Sequence, residues 1–226
     1  MSGTCLLTLM NLSIFGATGP TGRVLVQQAL DAGHTVTVYV RNPSKMVIEH
    51  PKLRTIAGEL TDGDGVLQAV KGSDAVVSLL GPNDSSLKVQ GTPIAEGTAR
   101  IVDAMMQQGV KRLVTTSSAA FGAPGDAPSW GRTALNGLIR TGMRTFASGP
   151  YSEISATSEV IRGSDLDWTL VRVGFLTDAA ENKSPTVGLF GTQGLGSSVS
   201  RATVAAFLLR ELQDGKWVRS SPVVSG

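Results

Sequence analysis

Gly16-Ala17-Thr18-Gly19-Pro20-Thr21-Gly22 is the stretch that decides how this chain reads. In front of it stands the apolar run Leu9-Met10-Asn11-Leu12-Ser13-Ile14-Phe15, suited to a buried strand. Behind it, Val24-Leu25-Val26-Gln27-Gln28-Ala29-Leu30 carries apolar residues at 26, 29 and 30, a helical spacing. A glycine-rich turn between strand and helix presents unpaired backbone N–H groups at a helix N-terminus, where the dipole favours an anion. In such a turn Gly16 allows the tight bend, Gly19 the close approach of a pyrophosphate and Gly22 the packing of helix on strand. Thr18, Pro20 and Thr21 complete the candidate cradle. Three glycines alone say little, but with this strand and helix around them they predict a dinucleotide site.

Working outward, the chain alternates strands and helices. Ala32-Gly33-His34 stops the first helix, and Thr35-Val36-Thr37-Val38-Tyr39-Val40 alternates with the period of a strand. A third strand is expected at Leu53-Arg54-Thr55-Ile56-Ala57 and a helix from Asp62 to Val70. Ala75-Val76-Val77-Ser78-Leu79-Leu80 is nearly continuous apolar sequence, the mark of a parallel strand covered on both faces. Ile94, Thr98, Ile101, Val102 and Met105 trace a long helix, with Gly109 where a C-terminal cap belongs. A fifth strand at 112–116, a helix from Tyr151 to Arg162, a sixth strand at 167–173 and a last helix through Val204 and Leu212 follow. Trp217 to Val224 is expected to close the sheet. Residues 119–150 and 174–199 are rich in glycine, proline and serine and read as irregular, pocket-forming segments. The whole predicts one domain over 1–226, α/β in class. Its sheet is doubly wound and parallel, in the order 3-2-1-4-5-6 with a seventh strand at one edge. Ligands on such sheets bind beyond the carboxyl ends of strands one and four, where both irregular segments also emerge.

The bulk numbers narrow the function classes. A length of 226 residues with 41% hydrophobic content supports a sizeable core. A net charge of +2 implies no large basic field, so nucleic acid is not an expected partner. Arg132, Arg140 and Arg144 read as a solvated loop. The single cysteine, Cys5, allows no intrachain disulfide and suits a reducing compartment. His34 and His50 lie far apart, with no metal-ligand spacing around them. No run of eighteen apolar residues and no signal-peptide pattern is present, so a cytoplasmic protein without a membrane span is expected, monomeric or dimeric.

The end of the second strand speaks to the cofactor. An NAD site usually places Asp or Glu there, to accept from the ribose 2′-hydroxyl. This chain has Arg41, followed by Asn42-Pro43-Ser44-Lys45. A guanidinium grips a 2′-phosphate where a carboxylate would repel it, and Ser44 and Lys45 offer further donors, so NADP(H) is the expected cofactor. Asp62, just after the third strand, is a candidate for adenine contact and equally for the N-cap of the next helix.

Together these residues resemble the atypical short-chain dehydrogenases, in particular the group that contains biliverdin reductase B (flavin reductase) and the NmrA-like proteins. The resemblance runs from Leu9 to about Leu212 and rests on the glycine turn and on Val40-Arg41-Asn42-Pro43. Asp74-Ala75-Val76-Val77 with Leu79-Leu80-Gly81, Thr116-Ser117-Ser118 and Asp167-Trp168-Thr169-Leu170-Val171-Arg172 extend it. It implies that Leu80 and Gly81 flank the cofactor and that Val173 and Phe175 border the nicotinamide. It also implies Ser118 and Tyr151 as the catalytic pair, the serine orienting a substrate oxygen and the tyrosine acting as proton donor. Two departures stand out. Ser155 occupies the position of the usual lysine four residues after that tyrosine, and Ser158 matches the histidine of the biliverdin reductase B group. The function these features imply is NADPH-dependent reduction of a small carbonyl, quinone, flavin or related conjugated compound. The alternatives are a non-catalytic NADP(H)-binding redox sensor of the NmrA-like kind and an epimerase or isomerase with retained cofactor.

Overall fold

The computed structural model describes residues 8–82, 91–127, 137–138, 141–142, 145, 148–192 and 194–226. Cys5, Trp130, Arg132, Arg140 and Arg144 lie outside the described residues. The elements run β1 (Asn11–Phe15), α1 (Pro20–Asp31), β2 (Thr35–Val40), β3 (Leu53–Ala57), α2 (Gly63–Val70), β4 (Ala75–Ser78) and α3 (Pro93–Gln108). They continue β5 (Arg112–Ser118), α4 (Ser148–Arg162), β6 (Asp167–Val173), β7 (Phe175–Thr177), β8 (Thr186–Gly188), β9 (Ser198–Ser200), α5 (Arg201–Asp214) and β10 (Val223–Ser225).

The sheet has the order β3-β2-β1-β4-β5-β6-β10-β8, which contains the predicted 3-2-1-4-5-6. Strand alternation explains why it needs cover on both sides. Along β1, Leu12 and Ile14 point into one core with Leu25, Ala29, Val204 and Leu208 from α1 and α5. Phe15 points into the other, with Val66, Ile101, Met105 and Ile161 from α2, α3 and α4. The polar Ser13, on the second face, is satisfied by Ala69 O and by Ser73 Oγ. Gly109, left-handed at φ 70°, caps α3 through its N–H to Met105 O and Met106 O.

Two expectations are corrected at the far edge. The closing strand β10 pairs parallel to β6, but it is not the edge: β8 lies outside it, antiparallel. The stretch 174–199 is not wholly irregular either, since it contains β7, β8 and β9, with β7 and β9 forming a separate two-stranded sheet. Each is three residues long and owes its existence to long-range pairing, so no periodicity betrays it. Among the described residues no helix is long and apolar enough to cross a membrane.

Candidate cofactor and substrate cleft

A cleft of about 1010 Å³ opens beyond the carboxyl ends of β1, β4, β5 and β6. Its first wall is the glycine turn, with Gly16, Thr18, Gly19, Pro20, Thr21 and Gly22 all on its surface. Gly16 is left-handed at φ 81°, and a Cβ there would lie 2.7 Å from the Leu79 carbonyl, so only glycine lets β1 turn beside β4. A Cβ on Gly22 would overlap Gly16 O and stand 2.9 Å from Ala17 Cα, so this glycine lets α1 lie against the turn. Gly19 differs: its backbone is extended, and the nearest atom to a Cβ is Gly16 O at 3.4 Å. Its open side is the cleft. Gly19 is also the N-cap of α1, with no side-chain cap and no acid in the first turn. The helix therefore shows the cleft an N-terminus that its own side chains do not neutralise.

One end of the cleft lies past β2 and β3, where Tyr39, Arg41, Lys45 and residues 58–61 line it. Arg41 is exposed, and among the described residues neither its guanidinium nor the Lys45 ammonium has a side-chain partner. Ser44 does not line the cleft. Its N–H and hydroxyl both donate to Asn42 Oδ1, at 3.0 and 2.7 Å, within the turn of Pro43–Lys45. Asp62 is likewise off the surface, because its carboxylate caps α2 by accepting from Gly65 N at 3.0 Å. The Tyr39 hydroxyl donates to Glu59 O at 3.0 Å. Burial, and then the charge of Asp62, push this phenol above its ordinary range.

The other end is a pocket of hydroxyls and apolar side chains. Leu80 and Gly81 border it from β4, Thr116, Ser117 and Ser118 from β5, and Val173 and Gly174 from β6. Ser118 Oγ accepts from Ala120 N at 3.2 Å, which leaves its own hydrogen to donate. Phe175 stands outside the pocket, 78% exposed, while Leu176 lines it. Successive residues of a strand face opposite ways, so only one of the two can.

The helix α4 turns Glu153, Ile154, Thr157 and Ser158 toward the cleft, a stripe with the spacing of one helical face. Tyr151 is not among the lining residues; its ring packs on Phe121 with centroids 5.3 Å apart. Ser155 lies on another face, where its hydroxyl donates to Glu159 at 3.4 Å in an exposed setting. The structure thus brings Ser118 to the cleft and leaves Tyr151 and its Ser155 partner position outside it.

Two further residues shape the site with no signal in their local sequence. Glu153, only 2% exposed, accepts from Ile94 N and Ala95 N, each at 3.0 Å. Its carboxylate caps α3 from a neighbouring helix, a task that the N-cap Thr92 leaves undone. Arg172 is fully buried and pairs with both oxygens of Asp126, at 2.7 and 2.6 Å. It also donates to Ser221 O and Phe121 O and lies 4.6 Å from the centre of the Phe190 ring. Burial alone would raise the Asp126 carboxyl. The Arg172 guanidinium and the N–H groups of Ala123 and Phe190 overcome that and hold it below its ordinary value. This pair clamps the segment that follows Ser118 onto β6.

Relatives agree with this geometry. A 3-beta-hydroxysteroid dehydrogenase of Mycolicibacterium neoaurum is 35% identical over 114 residues, 46% of this chain and 31% of the relative. The chain thus spans about a third of the length of the hydroxysteroid dehydrogenases it matches. A short-chain dehydrogenase/reductase of Veillonella parvula, solved in complex with NADP, superposes with a TM-score of 0.75 at 20% identity, covering 96% of this chain and 94% of that one. The anaerobilin reductase ChuY of Escherichia coli O157:H7 gives 0.69 at 17% identity, over 95% and 96%. Identities of this size speak for the fold alone. The family described as NAD(P)H-binding, by contrast, matches residues 16–215. That match begins at the first glycine of the turn and ends at the glycine that caps α5, taking in nearly the whole framework around the cleft. The chain belongs to this NAD(P)H-binding Rossmann family, within the short-chain dehydrogenase kind.

Proposed function

We propose that the protein is an NADPH-dependent reductase of a small carbonyl, quinone, flavin or related conjugated compound. The observation that carries this reading is one continuous cleft with two free cations at one end and a spare hydroxyl donor at the other. The residues present fit the cofactor: Gly19 is open on the cleft side and the α1 N-terminus is unneutralised. Backbone N–H groups of the glycine turn would hold the pyrophosphate, and Arg41 with Lys45 the 2′-phosphate. When bound, the nicotinamide supplies the hydride. The chain's own part is to hold the substrate and keep water out. Ser118 donates its hydrogen to the substrate oxygen, while Ile154, Val173 and Leu176 provide apolar cover.

A second reading, the non-catalytic redox sensor, is favoured by the absence of Tyr151 and Ser155 from the cleft surface. The two separate in one assay. Purified protein is offered NADPH with a panel of quinones, flavins and aldehydes, and the loss of nicotinamide absorbance is followed. Turnover with at least one compound is the expected result. Tight NADPH binding with no turnover on any of them would replace the reductase by the sensor.

A further inference from the structure

The four residues that α4 turns into the cleft are not equally accounted for. Glu153 is occupied in capping α3, and Ile154 is apolar. Ser158 donates to Ile154 O at 2.8 Å, and its oxygen lies 3.4 Å from Ser117 Oγ. Thr157 is different. Its Oγ1 is shut off from solvent and has no hydrogen-bond partner. A hydroxyl inside a helix readily donates to the carbonyl four residues back, as Ser158 does here and as Thr98 does to Ile94 O at 2.8 Å. Thr157 forgoes that bond, and a buried hydroxyl left unpaired carries its whole desolvation cost.

A polar group that lines a cleft and finds no partner in its own chain is matched to something that enters the cleft. Thr157 adjoins Ser158, whose hydroxyl meets Ser117, the neighbour of Ser118. It therefore lies at the hydroxyl-lined end and not at the end of Arg41 and Lys45. We propose that Thr157 is a substrate-contact residue, its hydroxyl donating with that of Ser118 to the oxygen of a carbonyl or quinone. This rests on the reductase reading, and it supplies a second hydrogen-bond donor in a cleft to which neither Tyr151 nor a lysine contributes.

The test compares the parent, Thr157→Val and Thr157→Ser, each saturated with NADPH, using phenanthrenequinone as the probe. Valine keeps the shape and removes the hydroxyl; serine restores it. Thr157→Val is expected to raise KM for the quinone roughly tenfold, the usual effect of one lost hydrogen bond, and Thr157→Ser to return it toward the parent. NADPH affinity by calorimetry should stay unchanged, and the Tm of Thr157→Val without ligand should equal or exceed that of the parent. A structural hydroxyl would do the opposite and lower Tm. Parent-like KM and kcat in Thr157→Val overturn the contact, and so does a fall in Tm that accompanies the kinetic change. If the parent turns over neither this quinone nor any compound of the panel, the reductase reading fails first and takes this contact with it.

Discussion

Gly19 and Gly22 sit three residues apart in one turn, yet the structure assigns them different jobs that substitution can separate. At Gly22 a Cβ would overlap Gly16 O and press on Ala17 Cα. Both are backbone atoms that cannot swing aside. Overpacking of that kind costs about 3 kcal/mol at the upper end, and alanine's better helix propensity returns about 1 kcal/mol. Gly22→Ala should therefore lose about 2 kcal/mol, or roughly 4–8 °C of Tm for a chain of this size. Gly19 is extended at φ −71° and ψ 164°, a conformation open to valine, and its Cβ would touch only Gly16 O at 3.4 Å. Gly19→Val should cost no more than about 1 kcal/mol, from a poorer N-cap. Its loss is in binding, because the side chain fills the space where a pyrophosphate meets the α1 N-terminus. Thermal denaturation with and without NADPH reads both effects. Nucleotide at a hundred times its Kd adds about 2.7 kcal/mol, roughly 5–11 °C in the parent. Gly19→Val should melt near the parent without nucleotide and show no such rise with it. A parent-like NADPH shift in Gly19→Val would refute the cradle, and a parent-like Tm in Gly22→Ala would refute the steric argument.

Arg41→Ala should remove most of the preference for NADPH over NADH, a loss of about 1.5–3 kcal/mol if charge-assisted bonds hold the 2′-phosphate; equal affinity of the unmodified protein for both nucleotides in titration calorimetry would sink the assignment. Ser118→Ala should slow single-turnover NADPH oxidation while leaving NADPH affinity nearly intact. Tyr151→Phe, by contrast, should change the rate little, since its ring packs on Phe121 outside the cleft; a parent-like rate in Ser118→Ala would displace the site. Stability should fall as pH drops below about 6.5, the ordinary value for histidine. His34 accepts from Met10 N through Nδ1, and burial, then the charge of Lys52, lower its pKa in the fold. The unfolded chain thus binds the proton more readily, and the stabilisation is present above the unfolded value and lost toward the folded one. A Tm that falls equally between pH 7 and 5 in the parent and in His34→Phe would exclude that histidine as the cause.

Most of the sheet was legible because each of its first six strands announces itself locally. Val36, Val38 and Val40 mark β2 by alternation, and Ala75, Val76 and Val77 mark β4 by an unbroken apolar run. The glycine turn fixed which strand is central and which end carries the cleft. What escaped is what only distant partners create. Val187 in β8 and Val199 in β9 belong to strands of three residues, too short for any period, and they form because β10 and β7 lie alongside them. The cap that Glu153 places on α3 joins residues 58 and 59 positions apart, and the Arg172–Asp126 pair spans 46. Nothing in either local sequence announces the partner.

The cleft-facing side of α4 shows most sharply where sequence reasoning reaches its limit. A tyrosine and a position four residues later share a helix face, so Tyr151 with Ser155 was a consistent pair by spacing alone. Spacing says which residues lie together but not which way they look. One residue of rotation is 100°, enough to carry a whole pair from a cleft to the solvent. Three anchors set the rotation of α4. Ile161 and Ser158 are buried on its inner side, Glu153 reaches the N-terminus of α3, and the Tyr151 ring lodges against Phe121. With those fixed, the positions four apart that meet the cleft are Glu153 with Thr157 and Ile154 with Ser158. Neither pair contains a tyrosine or a lysine. The donors that this helix offers a ligand are hydroxyls, and Thr157 holds the one that nothing else in the chain has claimed.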